Sequence, residues 1–391
     1  MAPPLGIEGT RRPGLPLVRS FVERHELEPI ASGKNRCPRI VLTPREHTDL
    51  RRIAEGAYTP IAGFASREEL ESVVQSMRLP AGTPWPLPIL LSASGTEVRA
   101  LRQGSRALLV APGGDPAGIM EVEEISAWDP ASVVGGLYGT VDAAHPGVEE
   151  FLKSKEYLVA GPVRAFPWRQ ERLAGVRALS PRETRREFAR RKWGTIAAFQ
   201  TRNAIHRGHE HIHRVVMEIW DGLLIHPLVG PTRKEDLPAD LRVRSCKTQI
   251  DSYYPHERTL LSLFPAPMWF AGPREALFHA LVRRNYGCTH LILGRDHAGV
   301  GKYYGPLDAQ KIFSRFPVEE IGIQPIFFST AFYCRKCAST ATRRSCPHDP
   351  KNHLSPSGTR VRESLHRGNR APEELIRSEV WEVLASGETR S

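Results

Sequence analysis

The sequence predicts an α/β protein with a parallel-sheet domain in its second half, a β-rich domain before it and a small third segment after it. Three observations carry this expectation. Between residues 195 and 293 short apolar runs alternate with helical patterns, as successive β–α–β units require. From Trp85 to about Val122, short apolar runs are instead separated by turn residues. From about Phe332 the chain changes character, and Cys334, Cys337 and Cys346 cluster within thirteen positions. The expected divisions are 1–170, 171–331 and 332–391.

Composition sets the bounds. At 391 residues the chain is too long for one simple core. No apolar run approaches the ~18 residues of a membrane span, and the first residues lack the apolar stretch of a secretory signal. Six cysteines in this length are not a disulfide framework, so the cytoplasm is the expected compartment. The net charge is +11, yet lysine and arginine are spread along the chain without long blocks or basic–aromatic repeats. A basic surface around an anion-using site accounts for that better than nucleic-acid binding does.

In chain order, Pro3, Pro4, Pro13 and Pro16 deny a helix at the start. Helical patterns follow at Glu46 to Gly56 and at Arg67 to Met77. Leu87–Leu91, Ala107–Val110 and Gly118–Val122 read as short strands, with Gly113-Gly114-Asp115-Pro116 as a hairpin turn. Trp85-Pro86-Leu87-Pro88 reads as a packed entry into a strand. Ser180-Pro181-Arg182-Glu183 is a capping box with proline at the first helical position; its helix should reach Trp193 and stop at a left-handed Gly194.

Thr195–Phe199 has the length and composition of a buried parallel strand. A polar turn follows, Gln200-Thr201-Arg202-Asn203, and then His206-Arg207-Gly208-His209 opens an amphipathic helix. Ile212, Val215, Val216 and Ile219 form its apolar stripe, and His211 and His213 are expected in solvent. Gly222–Val229 is a second strand, leading into a loop at 230–236. Arg242–Tyr253 and the stretch from Gly272 to Gly287 are helices. Thr289–Leu293 is a third strand, followed by Gly294-Arg295-Asp296-His297-Ala298-Gly299. Both unusual loops lie at the carboxyl ends of strands, where open parallel sheets bind ligands.

The chemistry follows from residue type. Two histidines three apart, at a helix N-terminus, suit the phosphates of a nucleotide and charge growing on a leaving pyrophosphate. Gly208 between them should let a ligand approach the backbone. Zinc at this pair is disfavoured, because no HExxH arrangement is present. Gln200 and Arg202, one residue apart in an extended loop, point to one side, where an amide and a guanidinium would hold a tetrahedral oxyanion. The competing reading pairs Arg202 with a carboxylate of the same domain. The 294–299 loop is glycine-rich enough to bring backbone N–H groups to a ligand.

Together, Gln200-Thr201-Arg202-Asn203, His206-x-x-His209 and Gly294-Arg295-Asp296-His297-Ala298-Gly299 resemble ATP sulfurylase. Further stretches resemble that family in order, among them Gly63-Phe64, Met77-Arg78-Leu79-Pro80, Trp85 to Ile89, His145-Pro146-Gly147-Val148, Gly272 to Ala276 and His279 to Arg283. The resemblance implies a PUA-like N-terminal domain and a Rossmann-like HxGH nucleotidyltransferase domain. It implies transfer of the adenylyl group of ATP to sulfate, giving adenosine 5′-phosphosulfate and diphosphate, with Mg²⁺ carried on the nucleotide. It places sulfate at Gln200, Arg202 and the backbone of Ala298. It places ATP at Gln200, Thr201, Arg202, Asn203, His206, His209 and Gly294 to His297, with Thr201, Arg202, Asn203, His206 and His209 as catalytic groups. Ile205, Gly208, Arg233 and Lys234 depart from the family's usual residues without removing a functional group.

Cys334-x-x-Cys337 followed by Cys346 has the spacing of a structural zinc site, with His348 preferred to His353 as fourth ligand; a redox-active pair is the alternative. No Walker A sequence appears, so a fused kinase is not expected. A homodimer is expected, without a membrane or nucleic-acid partner. The alternatives to sulfate activation are another HxGH adenylyltransferase and a non-catalytic RNA-binding protein.

Overall fold

The computed structural model describes residues 16–23, 25–26, 37–231, 236–295 and 297–388. Pro3, Pro4, Pro13, Arg233, Lys234 and Asp296 lie outside these.

The first part is built on a seven-stranded sheet. Its spine runs Arg39–Val41, Arg106–Val110, Pro116–Glu121, Tyr157–Ala165 and Gly63–Phe64, with Ser92–Ala93 and Glu124–Ala127 also pairing to the long strand Tyr157–Ala165. The expected hairpin is present, and Gly114 at φ 93° supplies its left-handed residue. Leu87–Leu91 forms no strand, although Leu87, Ile89 and Leu91 are buried. Pro86 and Pro88 remove the N–H groups a ladder would need, and only the carbonyls of Ile89 and Leu91 are used, by Ala65 and Val159.

The capping box at Ser180 forms as expected. Its helix, Pro181–Arg190, ends earlier than expected, and the left-handed residue is Lys192 at φ 58° rather than Gly194. Gly194 instead donates its N–H to the Asp221 carboxylate at 2.8 Å.

The second sheet carries the site, and its elements are numbered here: β1 Ile196–Thr201, α1 Arg207–Ile219, β2 Gly222–Pro227, α2 Ala239–Tyr253, β3 Thr259–Leu261, α3 Pro273–Asn285, β4 His290–Leu293 and β5 Gln324–Phe327. All five strands are parallel, in the order β3-β2-β1-β4-β5. The strand order reverses between β1 and β4, which is the switch point where such sheets bind nucleotides. β2 is buried at all six positions, as a central strand covered on both faces must be.

Helix α3 is wedged between this sheet and the first part of the chain, so eleven consecutive residues, Glu275 to Asn285, are buried. One apolar core runs through both parts, with Tyr58, Trp85 and Phe278 stacked edge-on at 5.2–6.2 Å between ring centres. The Asn285 amide donates to the carbonyls of Ala57 and Thr59 at 3.0 and 2.8 Å across that seam. Trp85 is thus the packed residue its sequence context suggests.

After β5 the chain forms a small three-stranded sheet, Ala331–Cys334, Ser339–Thr342 and His353–Leu354, and two helices, Gly358–His366 and Ser378–Glu388. The helices share a core with Ala204 and Leu241 of the parallel-sheet part. No helix among the described residues is long and apolar enough to cross a membrane.

Candidate active site

The loop after β1 and the loop after β4 face each other across the switch point. Thr201, at the end of β1, is buried, and its hydroxyl donates to the Asn203 carbonyl and accepts from the Asn203 N–H, both at 2.9 Å. That closed turn fixes the backbone and leaves the neighbouring side chains to face the site. Arg202 lies 3.7 Å from the Asp236 carboxylate and 3.9 Å from the Met268 sulfur. The ion pair expected as the competing reading therefore exists, but it is long, and the guanidinium makes no close bidentate bond there. Gln200 Nε2 rests 2.9 Å from Nδ1 and 3.1 Å from Nε2 of His279, and its Oε1 is buried without a partner.

His206 is the N-cap of α1, with its Nδ1 accepting the His209 N–H at 3.3 Å. The two rings stack at 3.7 Å and 16°. Burial pushes His209 down to about 4, and burial with the neighbouring His209 pushes His206 well below the ordinary histidine range. Both imidazoles are neutral at pH 7 and offer N–H donors without carrying charge of their own. His209 Nδ1 is buried without a partner.

His213 is not solvated, contrary to expectation. It is fully buried, bonded at 2.9 Å to the Tyr254 hydroxyl and 4.2 Å from the Phe199 ring centre. The buried stripe of α1 is Ile212, His213, Val216 and Met217, while Ile219 is 46% exposed. Phe199 on β1 draws the histidine face inward, which an apolar-only pattern could not register. His211 is half-buried. A methyl group at Gly208 would press at 3.1–3.2 Å on the His206 ring and on Pro356. The glycine thus admits a neighbouring ring and the third segment, rather than the open approach expected of it.

In the second loop, Gly294 has open space about it, Arg295 is exposed and His297 is half-buried. His297 Nε2 lies 3.1 Å from His279 Nδ1, and burial pushes it down to about 3. Ala298 sits at φ 59°, a left-handed conformation that costs a non-glycine residue about 1 kcal/mol, and its carbonyl accepts the Gly272 N–H at 3.3 Å.

Groups that sequence reasoning did not single out complete the surroundings. Arg362, from the helix Gly358–His366, donates to the Asn203 side-chain oxygen at 3.0 Å and lies 3.8 Å from Asp236. Glu210, one residue past His209, is 3% exposed. It accepts from Arg207, Arg214 and, with two bonds, Arg377 at 2.7–3.0 Å, which holds it down at about 2. The only sequence hint was the i+3 and i+4 spacing of Arg207 and Arg214 around Glu210. A cavity of about 470 Å³ lies elsewhere, lined by Arg45, Asp49, Tyr138 and Trp269 among others, and none of the loop residues line it.

In the third segment Cys334, Cys337, Cys346 and His348 bring their donor atoms within 4.8 Å of one another. His348 Nδ1 is 3.5, 3.2 and 3.6 Å from the three sulfurs in turn. A tetrahedral zinc with bonds of about 2.0–2.3 Å needs ligand spacings of about 3.5–3.8 Å, so the donor set is compatible with zinc. His353 has its Nε2 3.7 Å from the Cys346 sulfur and its ring stacked on Phe332 at 3.6 Å.

A family model described as ATP-sulfurylase matches residues 176–387, and one described as PUA-like domain matches residues 11–167. The chain belongs to the ATP-sulfurylase family. A sulfate adenylyltransferase of Symbiobacterium thermophilum is 48% identical over 90% of this chain and 89% of its own length. That of Halothermothrix orenii is 43% identical over 95% and 97%, and that of Deinococcus radiodurans 44% over 90% and 90%. Among solved structures, a hexameric APS kinase from Thiobacillus denitrificans covers 95% of this chain and 68% of its own, with a TM-score of 0.72 at 24% identity, a likeness of fold. The PUA-like part and the parallel sheet described above are the architecture of this ATP-sulfurylase chain.

Proposed function

We propose that the chain catalyses ATP + sulfate ⇌ adenosine 5′-phosphosulfate + diphosphate at the switch point between β1 and β4. What supports this reading is that the end of β1 and the segment leading into α1 carry an amide, a guanidinium and two neutral imidazoles between Gln200 and His209, in a family whose matched relatives are sulfate adenylyltransferases. A sulfate oxygen attacks the α-phosphorus in line, the bond to the diphosphate breaks, and the diphosphate leaves. Sulfate is fully ionised, so no base is needed; rate comes from holding two anions together and neutralising their charge.

Gln200 and Arg202 hold sulfate, with the left-handed backbone at Ala298 beside them. A sulfate entering here replaces the distant Asp236 as the partner of Arg202. Thr201 and Asn203 shape the loop against the nucleotide, and Arg362 fixes Asn203. His206 and His209 face the phosphates, at the positive end of α1. They are neutral before ATP binds, and the polyphosphate charge raises their affinity for protons, so charge arrives at the leaving diphosphate only with the substrate. Gly294 to His297 border the adenosine, Asp296 by sequence motif alone. Mg²⁺ bound to the ATP phosphates offsets part of their charge. Zinc is assigned to Cys334, Cys337, Cys346 and His348, where it would fold a segment whose own apolar cluster is only Phe332, Ala341 and the cysteines.

The test is pyrophosphate exchange into ATP, with and without sulfate. Sulfate-dependent exchange is expected, and molybdate, a tetrahedral mimic, should provoke release of AMP. Exchange indifferent to sulfate, or silence with molybdate, would sink the assignment and favour another adenylyl acceptor.

A further inference from the structure

The stretch His145-Pro146-Gly147-Val148 lies far from both loops in sequence, and the reaction above gives it no role. His145 is fully buried. Its Nδ1 accepts the N–H groups of Gly147 and Val148 at 3.1 and 3.3 Å, which caps the short helix Pro146–Phe151. The start of that helix is pressed against the segment leading into α3: a Cβ at Gly147 would come within 2.4 Å of the Trp269 carbonyl oxygen. The opposite ring nitrogen, Nε2, lies 3.3 Å from the hydroxyl of Tyr304, in the stretch that continues the loop after β4. That hydroxyl lies 3.1 Å from the Phe270 carbonyl. The Tyr304 ring covers Gly272, where a Cβ would come within 2.6–2.8 Å of it. Gly272 in turn donates its N–H to the Ala298 carbonyl at 3.3 Å. Residues 270–272 are thus held between Ala298 and Tyr304, and Tyr304 is held by His145 from the first part of the chain.

The direction of these bonds is set by groups that can act in one way only. Both neighbours of His145 Nδ1 are backbone N–H groups, which donate, so that nitrogen is bare and the neutral ring carries its proton on Nε2. The Phe270 carbonyl only accepts, so the Tyr304 proton points there; burial pushes that hydroxyl above its ordinary range and keeps it protonated. The Tyr304 oxygen is left to accept from His145 Nε2. Phe270 and Ala298 both have left-handed backbones, at φ 59°. Non-glycine residues persist in that conformation only where their surroundings over-determine it, and those surroundings include the Tyr304 hydroxyl at Phe270 and the Gly272 N–H at Ala298.

We infer that His145 and Tyr304 are positioning residues, which through the backbone of Phe270 and Gly272 hold the Ala298 backbone in the place where it meets sulfate. The inference rests on the reading that Ala298 lies beside sulfate. It makes a residue of the PUA-like part a determinant of sulfate affinity in the parallel-sheet part.

The experiment is sulfate and ATP titration of pyrophosphate exchange in the full-length protein. The variants are Tyr304→Phe, which retains the ring over Gly272 and removes the hydroxyl, His145→Asn, and the two together. Asparagine is a good N-cap, so its oxygen still serves the helix Pro146–Phe151, but it is too short to reach Tyr304. In each single variant the KM for sulfate should rise about tenfold, the size of one misplaced hydrogen bond to a charged group, while the KM for ATP stays within about twofold. The double variant should add less than about twofold to either single one, because both break the same line. An unchanged KM for sulfate in Tyr304→Phe, an equal rise in both KM values, or a rise of about a hundredfold in the double variant would overturn the inference. A normal KM for sulfate in His145→Asn would also overturn it, by reducing His145 to a helix cap. Should His145→Asn not fold, Tyr304→Phe and the ¹⁵N shifts of the wild-type His145 ring decide: a sulfate-selective loss with a protonated Nε2 supports the inference, and a protonated Nδ1 overturns it. Absence of sulfate-dependent exchange in the wild type would instead strike the activity on which it rests.

Discussion

Replacing Glu210 by glutamine should cost the protein about 3 kcal/mol without touching a group that meets substrate. The carboxylate is 3% exposed and receives four hydrogen bonds from Arg207, Arg214 and Arg377, the last reaching in from the third segment. Two routes give the magnitude. Its pKa falls from 4.5 to about 2, and each unit is about 1.4 kcal/mol, so the charged form is favoured in the fold by about 3 kcal/mol at neutral pH. Independently, breaking a buried ion pair by removing one partner costs roughly 3–5 kcal/mol. Because the folded pKa is depressed, this stability is present above pH 4.5 and is lost as pH falls toward about 2. The loss should appear as a fall of roughly 6–12 °C in the unfolding midpoint at pH 7.5, at roughly 2–4 °C per kcal/mol for a unit of this size. Arg377→Gln should reproduce part of the fall, and the double variant should be far from additive. A midpoint within 2 °C of wild type, or strict additivity with Arg377→Gln, would refute the view that Glu210 locks the third segment onto α1.

Three further outcomes are expected. His206→Ala should abolish pyrophosphate exchange while the circular dichroism spectrum and unfolding midpoint stay near wild type; a near-normal rate would refute its place beside the phosphates. Metal analysis should find one zinc per chain, lost in Cys337→Ala together with several degrees of thermal stability, whereas a protein without zinc and indifferent to chelators would refute the assignment. His209 is held down at about 4, below its ordinary 6.5. Its burial as a neutral ring therefore contributes stability that is complete above pH 6.5 and lost as pH falls toward about 4. The wild type should lose on the order of 3 kcal/mol relative to His209→Gln over that window, measured by urea midpoints, and parallel curves would contradict it.

What could be read from the sequence was what sits close together along the chain. The capping box at Ser180 and the Cys334–His348 cluster are each local, and each appears at its expected place in the structure, whereas the expected turn Gln200 to Asn203 is shorter, because β1 runs on through Gln200 and Thr201. Long-range pairing was not readable. Gln200 and His279 are 79 positions apart, and Asn203 and Arg362 are 159 apart. No residue type in isolation marks such a partner. Polar burial is hidden from the local sequence for the same reason. His213 looked like a solvent residue until Tyr254 supplied its hydrogen bond and Phe199 its packing face. Leu87–Leu91 had the apolar character of a strand, but its prolines withdrew the donors a ladder needs.

These long-range partners have a common consequence for how the site is held. The end of β1 and the loop after it contribute few anchors of their own, apart from the Thr201–Asn203 turn. Their remaining restraints come from three different directions. Helix α3 reaches Gln200 through His279, α2 reaches the Arg202 carbonyl through Arg242 at 3.3 Å, and the third segment reaches Asn203 through Arg362. Ala204, the next residue, is buried in the core of the C-terminal helices. A loop restrained only by itself would pay conformational entropy each time it ordered around two anions. Here much of that ordering is done by packing before substrate arrives. The same arrangement ties the zinc-compatible segment to chemistry that it does not perform. Its fold sets where Arg362 and Arg377 lie, and so where Asn203 and the start of α1 present their donors.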